Sequence, residues 1–120
     1  MNSKFITTHH DGFGLNESIE IEASDVSNVA AHLYTFRIND DVKASIRFQK
    51  GPRNEPGSTP GVTTSAVLAA LISHFQDFQN SQFSCRENAI ILTKLEEAAH
   101  WVEHRAKARA ARGVLGKNEK

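Results

Sequence analysis

The sequence predicts an α+β protein in which a small N-terminal antiparallel β-sheet precedes a long antiparallel α-helical hairpin. Three observations give this class: polar and apolar residues alternate within residues 18–49, residues 51–61 are rich in Pro and Gly, and apolar residues recur at helical spacing after residue 63. The 120 residues suit one compact domain. We divide it into an arm (1–16), a sheet region (17–50), a loop (51–62), the hairpin (63–112) and a tail (113–120).

The N-terminal half predicts about three strands. Residues 1–16 show little apolar periodicity and are expected to form a flexible arm. Residues 18–23 and 42–49 alternate as half-buried strands do, and residues 32–38 are rich in aromatic and β-branched side chains. Between the last two segments, Asn39, Asp40 and Asp41 favour a turn.

The stretch from residue 51 to 61 must be a loop, because each of its prolines lacks a backbone N–H and restrains the preceding residue. It separates the β part from the helical part. The prolines and glycines concerned are Gly51, Pro52, Pro56, Gly57, Pro60 and Gly61.

Two helices are predicted after this loop. The first runs from residue 63 to about residue 79 and has one apolar face, made of Val67, Leu68, Leu71, Ile72, Phe75 and Phe78. The second begins at a capping box formed by Ser84 and Glu87, and it stops before Gly113. Its seam follows alternating steps of four and three through Asn88, Leu92, Leu95, Ala99, Val102, Ala106 and Arg109.

The predicted helices differ in length, at about 25 Å and about 43 Å for a rise of 1.5 Å per residue. The second helix therefore projects beyond the first. Because a lone helix end is marginally stable in water, we expect it to pack against other copies in a homo-oligomer.

Composition excludes several classes of function. The formal net charge is 0, which does not favour a nucleic-acid coat held by bulk charge. The single cysteine, Cys85, allows no disulfide within the chain. We expect no signal peptide and no membrane span, and we place the protein in a reducing cytoplasm.

Charge is nevertheless unevenly distributed. Acids dominate residues 11–41, against Arg37 alone, and bases dominate residues 104–120, against Glu119 alone. Two interpretations remain open: two solvated faces, or an anion site in the basic end that is paired with an acidic surface on a neighbouring chain.

A composite set of residues within 46–116 resembles a known family. It resembles the helical hairpin shared by phage Thoeris anti-defence proteins and anti-CBASS sponges, and the N-terminal sheet is more similar to the Thoeris branch. The residues are Phe48-Gln49-Lys50-Gly51-Pro52, Gly61-Val62-Thr63, Phe78-Gln79, Cys85-Arg86-Glu87-Asn88-Ala89, Thr93-Lys94-Leu95-Glu96-Glu97-Ala98, Trp101, Arg105, Arg109 and Arg112-Gly113-Val114.

The resemblance implies a sponge that acts in the infected bacterial cell. Such proteins form dimers, often joined into hexamers, and sequester cyclic ADP-ribose isomers, cyclic dinucleotides or cyclic trinucleotides without cleaving them. The family's stacking phenylalanine and loop-proximal asparagine match Phe78 and Asn88, and its upstream arginine matches Arg53. Its paired trinucleotide-binding arginines match Arg105 and Arg109, with Arg112 following.

The residue types at the hairpin loop suit such a ligand. Phe78 and Phe83 offer stacking planes worth about 1–3 kcal/mol per base, Asn88 offers hydrogen bonds, and Arg86 offers a cation. The alternative is that the two rings are core residues and Asn88 a surface residue. Arg105 and Arg109 lie one turn apart and grip phosphate if several copies meet, or else they form a solvated edge.

Catalysis has little support in the sequence. His100 and His104 have the spacing of zinc ligands, but such pairs occur by chance, and Cys85 has no obvious base beside it. We therefore predict no enzyme, no metal site and no cofactor. Two alternatives stay open: a nucleic-acid-binding or regulatory protein that uses the basic C-terminal helix, and a structural oligomer without a ligand.

Overall fold

The computed structural model describes residues 3–26, 30–50 and 56–113. The chain divides into two compact units, Met1–Lys50 with Thr59–Gly61 and Gly51–Ser58 with Val62–Lys120. Within the described ranges four strands precede two helices, which confirms the predicted α+β class. The elements are β1 (Lys4–Ile6), β2 (Ile19–Ser24), β3 (Leu33–Ile38), β4 (Asp41–Arg47), α1 (Thr64–Gln79) and α2 (Arg86–Ala111).

The strands form an antiparallel sheet in the order β1-β2-β3-β4. Ile21 pairs with Phe36 and Ala23 with Tyr34, so the apolar residues of neighbouring strands share one face. Ala23 is fully buried. The alternation in the sequence thus predicted these strands and the covered face of β2, but in β4 the predicted inward residues Val42 and Ala44 are exposed.

The expectation of a flexible arm at residues 1–16 was wrong. β1 pairs with β2, and Phe5 lies opposite Glu22. A three-residue strand is too short to show periodicity, so its partner strand determines it. The loop that follows is also held in place, because the Glu17 carboxylate accepts hydrogen bonds from the backbone N–H groups of Gly12 and Gly14.

The turn predicted around Asn39 and Asp40 is a two-residue hairpin turn between β3 and β4. Both residues have positive φ, 51° and 67°, which Asn and Asp tolerate better than other non-glycine residues. This turn fixes the register of the two strands.

An ion cluster centred on Asp25 ties the end of β4 to the segment after β2. The carboxylate lies 2.7 Å from Lys50 Nζ and 2.8 Å from Arg47 Nη1. Hydrogen bonds from Lys50 and then Arg47 hold the pKa of the Asp25 carboxyl below its ordinary value. Asp25 also has a φ of 55°, in the left-handed region.

Replacing Asp25 with Asn removes the charge and one acceptor oxygen without straining the backbone, because Asn also tolerates a left-handed conformation. A carboxyl whose pKa is depressed by folding stabilises the native state above its unfolded pKa of about 3.9, and this contribution is lost as the pH falls through the lower folded value. Asp25→Asn should therefore unfold at a lower temperature than the wild type at pH 7, with the difference shrinking below about pH 4. Thermal unfolding followed by NMR of Tyr34, the single tyrosine, measures this.

Asp41→Asn is the matched control, because Asp41 is an exposed acid on β4 with no ion pair among the described residues. An Asp25→Asn difference that stays constant from pH 7 to pH 3 would assign the effect to something other than the ion cluster.

The two helices pack against each other along the predicted seam. All seven seam positions of α2 are half-buried or buried, as the heptad spacing predicted. On α1 the half-buried apolar residues are Val67, Leu68, Ile72 and Phe75, while Leu71 and Phe78 are more exposed than the sequence suggested. α1 begins where predicted, since the Thr63 side chain caps it by accepting from the Ala66 N–H.

The end of α2 also follows the prediction. Gly113 has a φ of 74°, and its N–H donates to the Ala110 carbonyl oxygen, as a glycine just past a helix end does. With 26 residues against 16, α2 is longer than α1 by about 15 Å. In the described residues, no helix is both long and apolar enough to span a membrane.

Candidate functional site

The hairpin turn between α1 and α2 is held by a chain of hydrogen bonds. Ser81 Oγ donates to the Phe78 carbonyl oxygen at 2.7 Å and accepts from the Phe83 N–H at 3.1 Å. The Cys85 N–H donates to the Gln79 side chain at 3.1 Å. These bonds fix the backbone at Phe78 and Phe83.

The predicted capping box at the start of α2 was wrong by one residue. The cap is Cys85, whose Sγ accepts from the Asn88 N–H at 3.4 Å, and the helix begins at Arg86. Ser84 remains in the turn because its N–H donates to the Ser81 carbonyl oxygen. The helix N-terminus therefore lies one residue further along the chain than expected.

A pocket of about 280 Å³ opens at this turn. Phe78 is 37 % exposed and Phe83 is 62 % exposed, which leaves both rings accessible from solvent. The residues that line the pocket are His74, Asp77, Phe78, Ser81 and Phe83.

Neighbouring rings orient Phe78. The His74 ring meets it edge-on, with centroids 5.0 Å apart and planes at 86°. Phe75 lies 6.5 Å away at a tilted angle. Aromatic pairs in these arrangements are favourable, so two neighbouring rings hold Phe78 while part of its surface stays exposed.

The structure brings together only some of the predicted site residues. Phe78 and Phe83 share the pocket, as expected. Asn88 is half-buried on the seam of α2, and Arg86 is exposed at the first turn; in the part of the chain that the structure describes, neither lines the pocket. Arg53 lies outside the described residues. The roles of Asn88, Arg86 and Arg53 stay predictions.

Sequence reasoning missed three pocket residues, His74, Asp77 and Ser81. His74 could have been found, because it precedes Phe78 by one helical turn and so shares its face. Asp77 and Ser81 reach the pocket only because the chain turns back after residue 79, and spacing within a helix does not predict such a turn.

A second depression, of about 560 Å³, lies along the groove between the helices. Its lining includes two carboxylates, Glu96 and Glu103, with His100 beside them and no Phe, Tyr or Trp. The groove therefore offers no Phe ring for stacking, whereas the turn pocket offers those of Phe78 and Phe83.

One of the three arginines predicted to form an anion site at the end of α2 is buried. Arg105 and Arg112 are exposed, but Arg109 is only 6 % exposed within the single chain.

Lys107 is engaged by Glu103 at 2.9 Å, and this bond raises the pKa of Lys107 and lowers that of Glu103. Among the described residues no three His, Cys, Asp or Glu side chains are grouped as a metal site would need.

The helical hairpin with its aromatic turn pocket is the feature that relates this chain to a protein family. The family model described as "Acb2/Tad1, hairpin domain" matches residues 40–107, more than half of the chain, and the chain belongs to that family. Thoeris anti-defense 1 of Bacillus phage SBSphiJ7 is 48 % identical over 77 residues. The match covers 64 % of this chain and 54 % of that protein, so the chain spans about half the length of the curated relative it matches.

Proposed function

We propose that this protein binds small cyclic nucleotide immune signals in the turn pocket and sequesters them without cleavage. The observation that carries the proposal is the pair of accessible rings, Phe78 and Phe83, fixed at the turn of a hairpin of the Acb2/Tad1 family. A base sandwiched or stacked there gains about 1–3 kcal/mol. The name of the Thoeris anti-defense 1 relative supports a role against bacterial defence inside the infected cell.

Retention of an intact ligand is the direct test. The protein is incubated with cyclic ADP-ribose isomers, cyclic dinucleotides and cyclic trinucleotides, freed of unbound nucleotide, and then heated. Mass analysis should recover the same cyclic compound that was added. Recovery of a linear or hydrolysed product that is missing from protein-free controls would show an enzyme instead.

The rival function, binding of nucleic acid through the basic end of α2, makes a different prediction. It requires an affinity for DNA or RNA that falls log-linearly with salt concentration and no retention of a small ligand. Arg105 and Arg112 are exposed at this end of α2, so a salt titration decides between the two functions.

Assembly of several copies is part of the proposal. Ile90, Ile91 and Trp101 on α2 are large apolar side chains that remain exposed in the single chain. Contacts between copies would cover these side chains. Analytical ultracentrifugation at micromolar concentration should show a dimer or a hexamer, and a monomer would contradict this part.

The second site, at Arg105, Arg109 and Arg112, depends on that assembly. Since Arg109 is largely buried, the guanidinium groups that can face a shared anion are those of Arg105 and Arg112, seven residues and two helical turns apart. Replacing both with Ala should abolish binding of a cyclic trinucleotide and leave the Phe78 pocket active. Unchanged trinucleotide binding would remove these two arginines from the site.

A further inference from the structure

A loop between β1 and β2 displays two large apolar side chains to solvent. Phe13 is 89 % exposed and Leu15 is 76 % exposed, the two highest values among the large apolar residues that the structure describes. Single exposed apolar residues are ordinary on protein surfaces, so exposure alone does not indicate a contact. The order and the charge of this loop, residues 11–17, carry the argument further, and we call it the Phe13 loop.

The Phe13 loop is held in one conformation by its own hydrogen bonds. The Asp11 carboxylate accepts from the Phe13 N–H at 3.0 Å. The Glu17 carboxylate accepts from the N–H groups of Gly12 and Gly14, which lie on either side of Phe13. A loop that is ordered in advance loses little conformational entropy when it binds, so this one is suited to recognition.

The Phe13 loop lies in the acidic part of the chain. Residues 5–36 contain no Lys and no Arg, and their acids are Asp11, Glu17, Glu20, Glu22 and Asp25. The N–H groups that bind Asp11 and Glu17 do not cancel the negative charge of these carboxylates. A surface that complements the loop therefore combines apolar area with positive charge.

α2 carries such a surface on a face separate from its seam with α1. Trp101, Arg105, Ala108 and Arg112 follow one another in steps of four, three and four, so they share one side of the helix. All four are exposed, whereas the seam positions are half-buried or buried. Residues 104–112 contain no Asp and no Glu. We call these four residues the basic stripe.

The basic stripe offers a contact for each feature of the Phe13 loop. The Trp101 ring is 59 % exposed and is flanked edge-on by two histidine rings, with centroids 5.5 Å and 5.2 Å away. It supplies an aromatic surface on which a Phe ring packs favourably. Ala108 is small and lies between Arg105 and Arg112, whose guanidinium groups attract acids and also stack on aromatic faces.

We propose that the Phe13 loop of one copy docks on the basic stripe of a second copy. The contact joins two different patches, so it is heterologous and repeats from copy to copy. The turn pocket is formed within one hairpin and is not part of this contact. Arg105 and Arg112 are also the groups proposed above to face an anion, so a docked loop and a bound anion exclude each other.

Trp101 is the single tryptophan of the chain, so its fluorescence reports directly on the basic stripe. Phe13→Ser provides a copy with an intact stripe and no Phe13 ring, and Trp101→Ala provides a copy with an intact loop and no tryptophan signal. Titrating the Trp101→Ala protein into the Phe13→Ser protein should shift the tryptophan emission to the blue until it saturates. The double variant Phe13→Ser/Trp101→Ala, which still associates through other surfaces, should produce no shift.

A charge reversal in the receiving copy tests the second half of the contact. Arg105→Glu, added to the Phe13→Ser protein, should raise the half-saturation concentration at least about tenfold, because like charges then face each other. Lys43→Glu is the matched control, since Lys43 is an exposed cation on β4, and it should leave the titration unchanged.

Two outcomes would overturn the inference. Equal shifts with the Trp101→Ala protein and with the double variant would show that some other surface covers the stripe. No shift with either protein, while circular dichroism shows the helices of every variant intact, would show that the Phe13 loop does not reach Trp101 of a second copy.

Discussion

Phe78→Ala should lower the affinity for the bound cyclic nucleotide at least tenfold, or about 1.4 kcal/mol. The ring is held by two neighbouring rings, those of His74 and Phe75, and offers the pocket a flat aromatic wall. Removing it takes away a stacking surface worth about 1–3 kcal/mol and leaves the base without an ordered neighbour. The hairpin should survive, because Phe78 is one of the more exposed apolar residues of α1.

Calorimetry with the ligand recovered in the heat-release experiment measures this effect. Phe13→Ala is the matched control, since Phe13 is 89 % exposed and belongs to the unit that contains the sheet. Unchanged affinity in Phe78→Ala, with the helices intact, would place the ligand somewhere other than the turn pocket.

Asn88→Ala is expected to weaken binding by a similar factor, as the match to the family's loop-proximal asparagine implies. Its side chain is half-buried on the seam of α2, so the variant tests packing as well as recognition. Asn88→Asp keeps the shape of the side chain and replaces the donor group with an acceptor. If alanine weakens binding and unfolds the hairpin to the same extent, Asn88 serves the fold and not the ligand.

Sequence periodicity predicted the parts of the fold that bury a continuous face. The seam from Asn88 to Arg109 follows from spacing alone, because a helix exposes every residue in a fixed angular order. β1 could not be found in this way, since three residues carry no period and their conformation depends on pairing with β2. The cap at Cys85 was missed because sulfur is a weak acceptor and ranks below the neighbouring Ser84 as a helix cap.

The aromatic part of the candidate site could be predicted from residue type and position. Phe78 and Phe83 were expected to meet because both flank the turn. Asp77 was not expected, because an acid on a helix is usually solvated; it stays exposed, and the turn between the helices places it in the same pocket lining as Phe78 and Phe83. The heptad spacing placed Arg109 on the seam, and its burial follows from that position, whereas the family match had assigned it to an accessible anion site.

Gly61→Ala should be the most destabilising single substitution in the unit that contains the sheet. A Cβ atom on Gly61 would lie 2.5 Å from the Arg47 carbonyl oxygen, 2.6 Å from the Gln49 nitrogen and 2.6 Å from the Phe48 carbonyl carbon. All three are backbone atoms at the end of β4, so no flexible side chain can move aside. Forcing extra atoms into packed surroundings costs about 1–3 kcal/mol, and a rigid backbone neighbour places this case at the upper end.

In a domain of this size, each kcal/mol of lost stability lowers the unfolding temperature by roughly 4–8 °C, and the expected loss is about 3 kcal/mol. Thermal unfolding followed at Tyr34 measures it, and Pro60→Ala is the control, because it alters the neighbouring residue without adding an atom at position 61. The Trp101 signal reports on α2, which belongs to the other unit. An unfolding temperature at Tyr34 within about 2 °C of the wild type, less than the shift for 1 kcal/mol, would show that the backbone after β4 accommodates the added methyl group and would contradict the prediction.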